Sequence, residues 1–310
     1  MAMFLAAGSS EAPGFSAIFH NWRPDPLWIG LILTIGWLYL RAARSPAATE
    51  PRVPHRRWQT RAFVAGLVVL AVGTLSPIVH YGNQVLSVNF FGFLLVTMVA
   101  PPLLLLGSPL TLAFRVSGPA ARRRLRWLYR STLLRWMTFP ITSWLVFAVA
   151  TYLWQFSGLT GLAARNAVVR DVQLLSLLVI SVLFWMPAMC TDPVRWRIPF
   201  PLRGLYIFVE MTHKALFGAM FLATSRPFHG YFARHAPAWA PDPLLDQRLA
   251  ILVLWLGGNL IFVVVLVGII VRWMGYEARS TRRLDIRLAR EREAITRHKA
   301  AIEQVFQKPV

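Results

Sequence analysis

Residues 249–273 read LAILVLWLGGNLIFVVVLVGIIVRW, a run in which Arg272 is the only charged side chain. A helix needs about 20 consecutive apolar residues to cross the hydrocarbon core of a bilayer. This run is long enough, and Gly257 and Gly258 within it favour close packing against a neighbouring helix. The stretch therefore predicts a membrane-spanning helix.

Six further apolar segments precede this run, at residues 27–40, 62–79, 85–106, 136–154, 172–189 and 202–223. The third of them contains Pro101 and Pro102, which must kink or end a helix. We therefore expect neighbouring helices to cover the carbonyls that these prolines leave free. The sequence predicts an all-α integral membrane protein with seven transmembrane helices.

The composition agrees with a membrane protein. Hydrophobic residues make up 56% of the chain and charged residues only 15%, against roughly 25% in soluble domains. The formal net charge of +20 is explained by arginine on cytoplasmic loops, and no nucleic-acid-binding motif interrupts the apolar runs. The single cysteine, Cys190, excludes a disulfide framework and a cysteine-based zinc site.

The basic residues between the segments predict the orientation. The connections on one side, together with the tail, carry 26 Lys and Arg, whereas those on the other side carry six and Lys214 lies inside the sixth segment. Because basic loops stay in the cytoplasm, the amino terminus is expected outside and the carboxyl terminus inside. An odd number of spans agrees with termini on opposite sides.

The chain divides by composition into a membrane domain, residues 1–275, and a basic cytoplasmic tail, residues 276–310. The tail is expected to be helical from about residue 277 to 305. Leu288, Ile295 and Ile302 recur in it every seven residues. This spacing allows a coiled-coil partner, but a solvated helix lying on anionic headgroups is the favoured interpretation.

The sixth segment carries three ionisable residues, Glu210, His213 and Lys214, in the sequence FVEMTHKALFG. Such residues are costly inside a membrane and mark a candidate functional site. Glu210 and Lys214 have the spacing and order of a helical ion pair. Either the pair neutralises itself in the bundle interior, or the cluster forms a proton or metal path that uses His213 and Met211.

Other candidate metal ligands are scattered. They are His80, Met98, Met220, His229 and His235, and none has the close spacing of a paired histidine site. We interpret His229 and His235, in FHGYFARH, as polar loop residues and Met98 as a packing residue. The motifs of hydrolases, zinc proteases and phosphate-binding loops do not occur. The sequence therefore predicts no catalytic residue and no enzyme.

Several stretches match a known family in order and spacing. The most specific is MVAPPLLLLGSPLTL at residues 98–112. The others are WRPDP at 22–26, SP at 76–77, YLW at 152–154, FWMP at 184–187, HKALFG at 213–218, DQ at 246–247 and RWMGYEARSTRRLD at 272–285. Over roughly residues 15–290 the chain resembles the CtaG-type cytochrome c oxidase assembly factors, which are seven-helix membrane proteins of bacteria.

The resemblance implies a role in maturing a haem-copper oxidase, by helping copper reach its metal centres. It implies a multi-pass protein of the bacterial inner (cytoplasmic) membrane whose partners are oxidase subunits or another membrane complex, together with membrane lipid. Copper is the only metal it suggests.

This chain departs from the family pattern at its histidines. The family's usual histidine positions are occupied here by Asn89 and Phe93 in the third segment, Gln155 in the fourth and Gln173 in the fifth, and Gly92 stands where the family has a glutamine. Only His213 matches a family histidine. Amide side chains cannot replace imidazole for Cu(I), which prefers soft donors. The resemblance therefore implies a scaffold that is kept and a usual copper site that is lost.

The favoured function is a membrane assembly factor or accessory subunit of a respiratory oxidase that acts through protein contacts. One alternative is a copper or proton transporter that uses Glu210, His213 and Lys214. Another is a structural subunit of a different membrane metalloenzyme complex.

Overall fold

The computed structural model describes residues 21–45, 55–192 and 196–306, and every regular element in these ranges is helical. The helices are α1 (Pro26–Ala43), α2 (Arg57–Leu75), α3 (Pro77–Gly82), α4 (Leu86–Leu94), α5 (Ala100–Leu106), α6 (Pro109–Val116), α7 (Pro119–Arg130), α8 (Thr132–Met137), α9 (Pro140–Phe156), α10 (Leu159–Arg165), α11 (Ala167–Met189), α12 (Phe200–Leu222), α13 (Gly230–His235), α14 (Pro243–Leu252) and α15 (Gly258–Phe306). Short π-helical turns, Leu95–Val99 and Val253–Gly257, join α4 to α5 and α14 to α15.

Six of the described helical stretches are long and apolar enough to cross a membrane. They are Pro26–Ala43, Arg57–Leu75, Leu86–Leu106, Ala167–Met189, Phe200–Leu222 and the long stretch that begins at Pro243. A further candidate is α9 followed by α10, a pair bent by 67°. The all-α, membrane-spanning character of the prediction is confirmed, while the count of seven and the orientation remain predictions.

The chain divides into two compact units, residues 1–263 and 264–310. The first contains α1 to α14 and the beginning of α15. The second contains the rest of α15, so the predicted tail helix is confirmed as far as residue 306. Side chains of the tail from 277 to 296 are almost all exposed.

Helix α2 ends earlier than predicted, at Leu75 rather than in the region of residue 79. Pro77 lacks an N–H group and cannot continue a helix. The chain instead starts a new helix there, with Pro77 at the first position and the Ser76 hydroxyl accepting a hydrogen bond from the Ile78 N–H at 3.2 Å. Because residues 77–79 are apolar, hydropathy alone did not indicate this break.

The prolines of the third span are accommodated by the π-helical turn before them. Pro101 cannot donate to the carbonyl of Thr97, four residues earlier. The indole N–H of Trp185, on α11, donates to that carbonyl at 3.0 Å. This confirms the expectation that a neighbouring helix covers a freed carbonyl.

Aromatic side chains fill the centre of the first unit. Phe147 stacks on Phe184 with ring centroids 4.6 Å apart, and Trp185 lies 5.3 Å from Phe262. All four residues are fully buried. They join α9, α11 and α15 directly beside the charged residues of α12.

Candidate functional site

Helix α12 carries the three ionisable residues predicted for the site. Positions 210, 213 and 214 are three and four residues apart and share one helix face. Glu210 and Lys214 are buried, and His213 keeps 15% of its side chain exposed. The structure therefore brings the three predicted residues together inside the first unit.

The pairing within this cluster differs from the prediction. The Oε2 atom of Glu210 lies 3.2 Å from Nδ1 of His213, so histidine is the partner of the carboxylate. The Nζ atom of Lys214 contacts the sulfur of Met98 at 3.4 Å. Within the described part of the chain, the predicted direct ion pair between Glu210 and Lys214 is not formed.

Lys214 lies in an aromatic environment. Its Nζ atom is 5.5 Å from the ring centre of Phe262 and 5.9 Å from that of Phe147. Cation–π attraction to these faces compensates part of the cost of burying the side chain. The sulfur of Met98, predicted to be a packing residue, is thus part of the site.

A small cavity of about 20 Å³ lies at this cluster. We call it the charged cavity; Phe93, Thr151, Glu210, His213 and Lys214 are among its lining residues. Oε1 of Glu210, Nε2 of His213 and Oγ1 of Thr151 are buried without a hydrogen-bond partner. A volume of this size holds roughly one water molecule. A water molecule or other hydrogen-bonding ligand there would lie near three polar atoms that have no other partner.

Aromatic rings flank His213. Trp144 and Tyr152 on α9 each place their ring centres 5.2 Å from the imidazole in edge-on contacts. Met211, predicted as a second ligand, is not among the residues that line the charged cavity. Within the described residues, no three His, Cys, Asp or Glu side chains converge as a metal site.

A second cavity, of about 40 Å³, is lined by three of the positions at which the resemblance implies histidines in the family. We call it the amide cavity; its lining includes Asn89, Gly92 and Phe93 from α4 and Gln173 from α11. Asn89 donates to the carbonyl of Gly82 at 3.0 Å. Phe93 lines both cavities, so its aromatic ring borders each of them.

Gln155, the remaining position at which the resemblance implies a family histidine, does not line the amide cavity. It is buried at 1% exposure, and both atoms of its amide group lack a hydrogen-bond partner. Its side chain therefore lies in the protein interior.

His229 is buried, which differs from our interpretation of a polar loop residue. It precedes α13 and stacks 6.0 Å from Phe221, with Phe90 and Phe232 at its edges. Burial lowers the pKa of His229 to about 4, against weaker opposing effects of the Gln155 main chain and the Asp246 carboxylate. The imidazole is therefore neutral at ordinary pH.

Two further residues organise the same end of the bundle and were not singled out as site residues. The Asp246 carboxylate on α14 accepts hydrogen bonds from the N–H groups of Leu86 and Ser87, at 2.7 and 3.0 Å, and so caps the start of α4. The adjacent Gln247 accepts from the Phe228 N–H at 2.7 Å. The sequence DQ at 246–247, one of the stretches that resemble the family, was the signal that could have indicated them.

Comparison with known proteins agrees with the resemblance seen in the sequence. The family of the cytochrome c oxidase caa3 assembly factor matches residues 37–275. Uncharacterized proteins of Mycobacterium bovis and Mycobacterium tuberculosis are each 27% identical over 296 residues, which is 91% of this chain and 44% of theirs. One of Mycobacterium leprae is 26% identical over 298 residues, 92% of this chain and 44% of its own.

The chain thus spans less than half the length of these relatives. No solved structure matches it. The family match covers most of the chain, including α4, α9, α11 and α12, on which the two cavities lie. The chain belongs to the cytochrome c oxidase caa3 assembly factor family.

Proposed function

We propose that this protein assists a respiratory haem-copper oxidase through protein contacts, as an assembly factor or accessory subunit in the bacterial inner membrane, without the family's usual copper site. The observation that carries the proposal is the amide cavity. Asn89, Phe93 and Gln173 line it, and the resemblance implies histidines at these positions in the family. Hard amide oxygens and a phenyl ring are poor donors for Cu(I).

The remaining candidate ligands, His213 and Met98, do not form a replacement copper site. His213 already uses Nδ1 to contact Glu210, and Met98 contacts the ammonium of Lys214. An ammonium group beside the sulfur repels a metal cation. These contacts favour a scaffold whose function depends on the surfaces it offers to membrane partners.

A pull-down tests the proposed partner. The tagged full chain, extracted in a mild detergent from cells that make the oxidase, is expected to recover oxidase subunits. The Asn89→Ala variant is expected to recover the same subunits, because the cavity is not the contact surface. If no oxidase subunit is recovered and the oxidase matures normally without this protein, the proposal is wrong.

Metal analysis tests the lost copper site. We expect less than stoichiometric Cu(I) on the purified protein after loading under reducing conditions, and no further loss in a His213→Ala variant. One copper per chain that disappears in His213→Ala would contradict this expectation, and would favour a copper-handling role for the site.

The unpartnered atoms of the charged cavity favour a proton relay as the second candidate function. Oε1 of Glu210 and Nε2 of His213 face no hydrogen-bond partner inside the membrane-spanning part. If the cluster is a proton relay, the double variant Glu210→Gln with Lys214→Met should abolish proton uptake by proteoliposomes. If oxidase maturation and proton permeability both survive the double change, the cluster is structural.

A further inference from the structure

An open apolar groove lies along the side of the bundle between α9 and α12. Its volume is about 490 Å³, within the range of roughly 300–1,000 Å³ that ligand pockets occupy. Its walls are large side chains, among them Phe139, Ile141, Trp144, Leu202 and Leu205. The polar atom of Tyr206 is already engaged, because its hydroxyl donates to the Phe184 carbonyl at 2.9 Å. The groove therefore suits a hydrocarbon chain.

Two arginines lie where the helices of the groove begin: Arg135 shortly precedes α9 and Arg203 is in the first turn of α12, near the groove residues Phe139 and Ile198. Arg135 lies 5.9 Å from the ring centre of Trp196, whose indole N–H donates to the Arg135 carbonyl at 3.2 Å. Arg203 lies over Phe200 at 4.4 Å and donates from Nε to the carbonyl of Ile198, a groove residue, at 2.9 Å. Among the described residues neither guanidinium pairs with a carboxylate. Their charge is therefore open to an anion at the end of the groove.

We propose that the groove between α9 and α12 binds an anionic phospholipid, with one acyl chain along the apolar walls and the phosphate at Arg135 and Arg203. Arginine pairs with phosphate through parallel, charge-assisted hydrogen bonds. Basic pockets between transmembrane helices are typical sites for anionic headgroups. The combination of hydrocarbon walls and two cations at one end fits this ligand class.

A partner transmembrane helix fits the groove less well. Helices approach closely in membranes where small residues line the contact, whereas this groove is walled by Phe139, Trp144 and several leucines and isoleucines. A phosphate headgroup also supplies an anion for the two arginines, which an apolar helix segment does not. The lipid is thus the better occupant on shape and on charge.

The bound lipid would cover one flank of the charged cavity. Trp144 lines the groove and also contacts the His213 ring at 5.2 Å. An acyl chain against Trp144 holds the indole in place against His213 and keeps water from that side. The proposal does not depend on which partner the protein assists.

The test is a lipid titration of the purified full chain in detergent, followed by native mass spectrometry. The probes are dioleoyl phosphatidylglycerol and, as the neutral comparison, dioleoyl phosphatidylcholine. One phosphatidylglycerol is expected to bind per chain, more tightly than phosphatidylcholine. The double variant Arg135→Gln with Arg203→Gln is expected to bind it about tenfold to thirtyfold more weakly.

The matched control is Arg123→Gln with Arg124→Gln, which removes the same charge from exposed positions of α7. It should leave the affinity unchanged. Leu205→Trp, which fills the groove, should weaken binding of phosphatidylglycerol, and its melting temperature in detergent alone shows that it folds. Equal binding of both lipids, equal losses in both arginine pairs, unchanged binding by folded Leu205→Trp, or a protein helix cross-linked at position 205 in cells would each overturn the proposal.

Discussion

His229 is the residue whose chemistry differs most from that of an ordinary loop histidine. The aromatic rings around it lower its pKa from 6.5 to about 4, so the folded protein does not take up the proton that the unfolded chain binds below about pH 6.5. The unfolded state then binds more protons, and stability falls as the pH decreases from about 6.5 to about 4. Below about pH 4 this residue causes no further loss.

A His229→Phe variant should therefore lose less stability between pH 6.5 and 4 than the native chain. Phenylalanine fits among Phe90, Phe221 and Phe232 and carries no proton. The measurement is the thermal unfolding temperature in detergent at a series of pH values. His235→Phe, at an exposed position, is the control and should follow the native pH dependence. Parallel curves for His229→Phe and the native chain would show that His229 titrates normally.

A copper site can be designed into the amide cavity. Asn89 and Phe93 are four residues apart on α4, and Gln173 faces the same cavity from α11. The triple variant Asn89→His, Phe93→His and Gln173→His should bind one Cu(I) per chain, because it gathers three imidazoles. Competition with a chromogenic Cu(I) chelator measures the gain. A control with histidines at the exposed positions Leu33, Leu145 and Leu260, which lie on three different helices, should gain none, and equal copper in both would contradict the cavity as the site.

At the residue scale, the sequence predicted correctly which side chains share a helix face, but it did not predict which residues those side chains contact. The spacing of Glu210, His213 and Lys214 is local and could be read directly. The contact between Lys214 and Met98 joins residues 116 positions apart, and no local pattern indicates it.

At the scale of the helix, the third span depends on one side chain from another helix. Trp185→Phe removes the donor to the Thr97 carbonyl and leaves that buried group unpaired, which should lower the free energy of unfolding by about 1–3 kcal/mol. Chemical denaturation in mixed micelles measures the change. Trp144→Phe is the matched control, because its indole nitrogen is buried without a partner. An equal loss in both variants would mean that volume, not the hydrogen bond, sets the effect.

Hydropathy predicted the membrane-spanning helices but not all of their ends. Residues 202–223 correspond closely to α12, because the apolar stretch and the helix end at nearly the same residue. Residues 62–79 do not correspond to α2, because Pro77 ends the helix inside an apolar stretch. The π-helical turns have no hydropathy signal at all, since they insert a residue without changing composition.

At the scale of the whole molecule, the orientation can be tested at two glycines. Gly118 precedes α7 in the arginine-rich connection, and Gly158 lies between α9 and α10. Both are exposed, both have negative φ, and a Cβ atom at either meets nothing within 4 Å. Each can therefore be replaced by cysteine without strain, in a background where Cys190→Ser removes the native thiol.

The positive-inside rule predicts opposite results for the two positions. In intact spheroplasts, a membrane-impermeant maleimide should label Gly158→Cys and should leave Gly118→Cys unlabelled until the membrane is opened. The unsubstituted Cys190→Ser chain controls for background labelling. Labelling of both positions from one side would mean that α9 does not cross the membrane, which would leave six spans. Labelling of Gly118→Cys alone would reverse the orientation. The arginine count makes that reversal costly, because it would move 26 basic residues across the membrane instead of six.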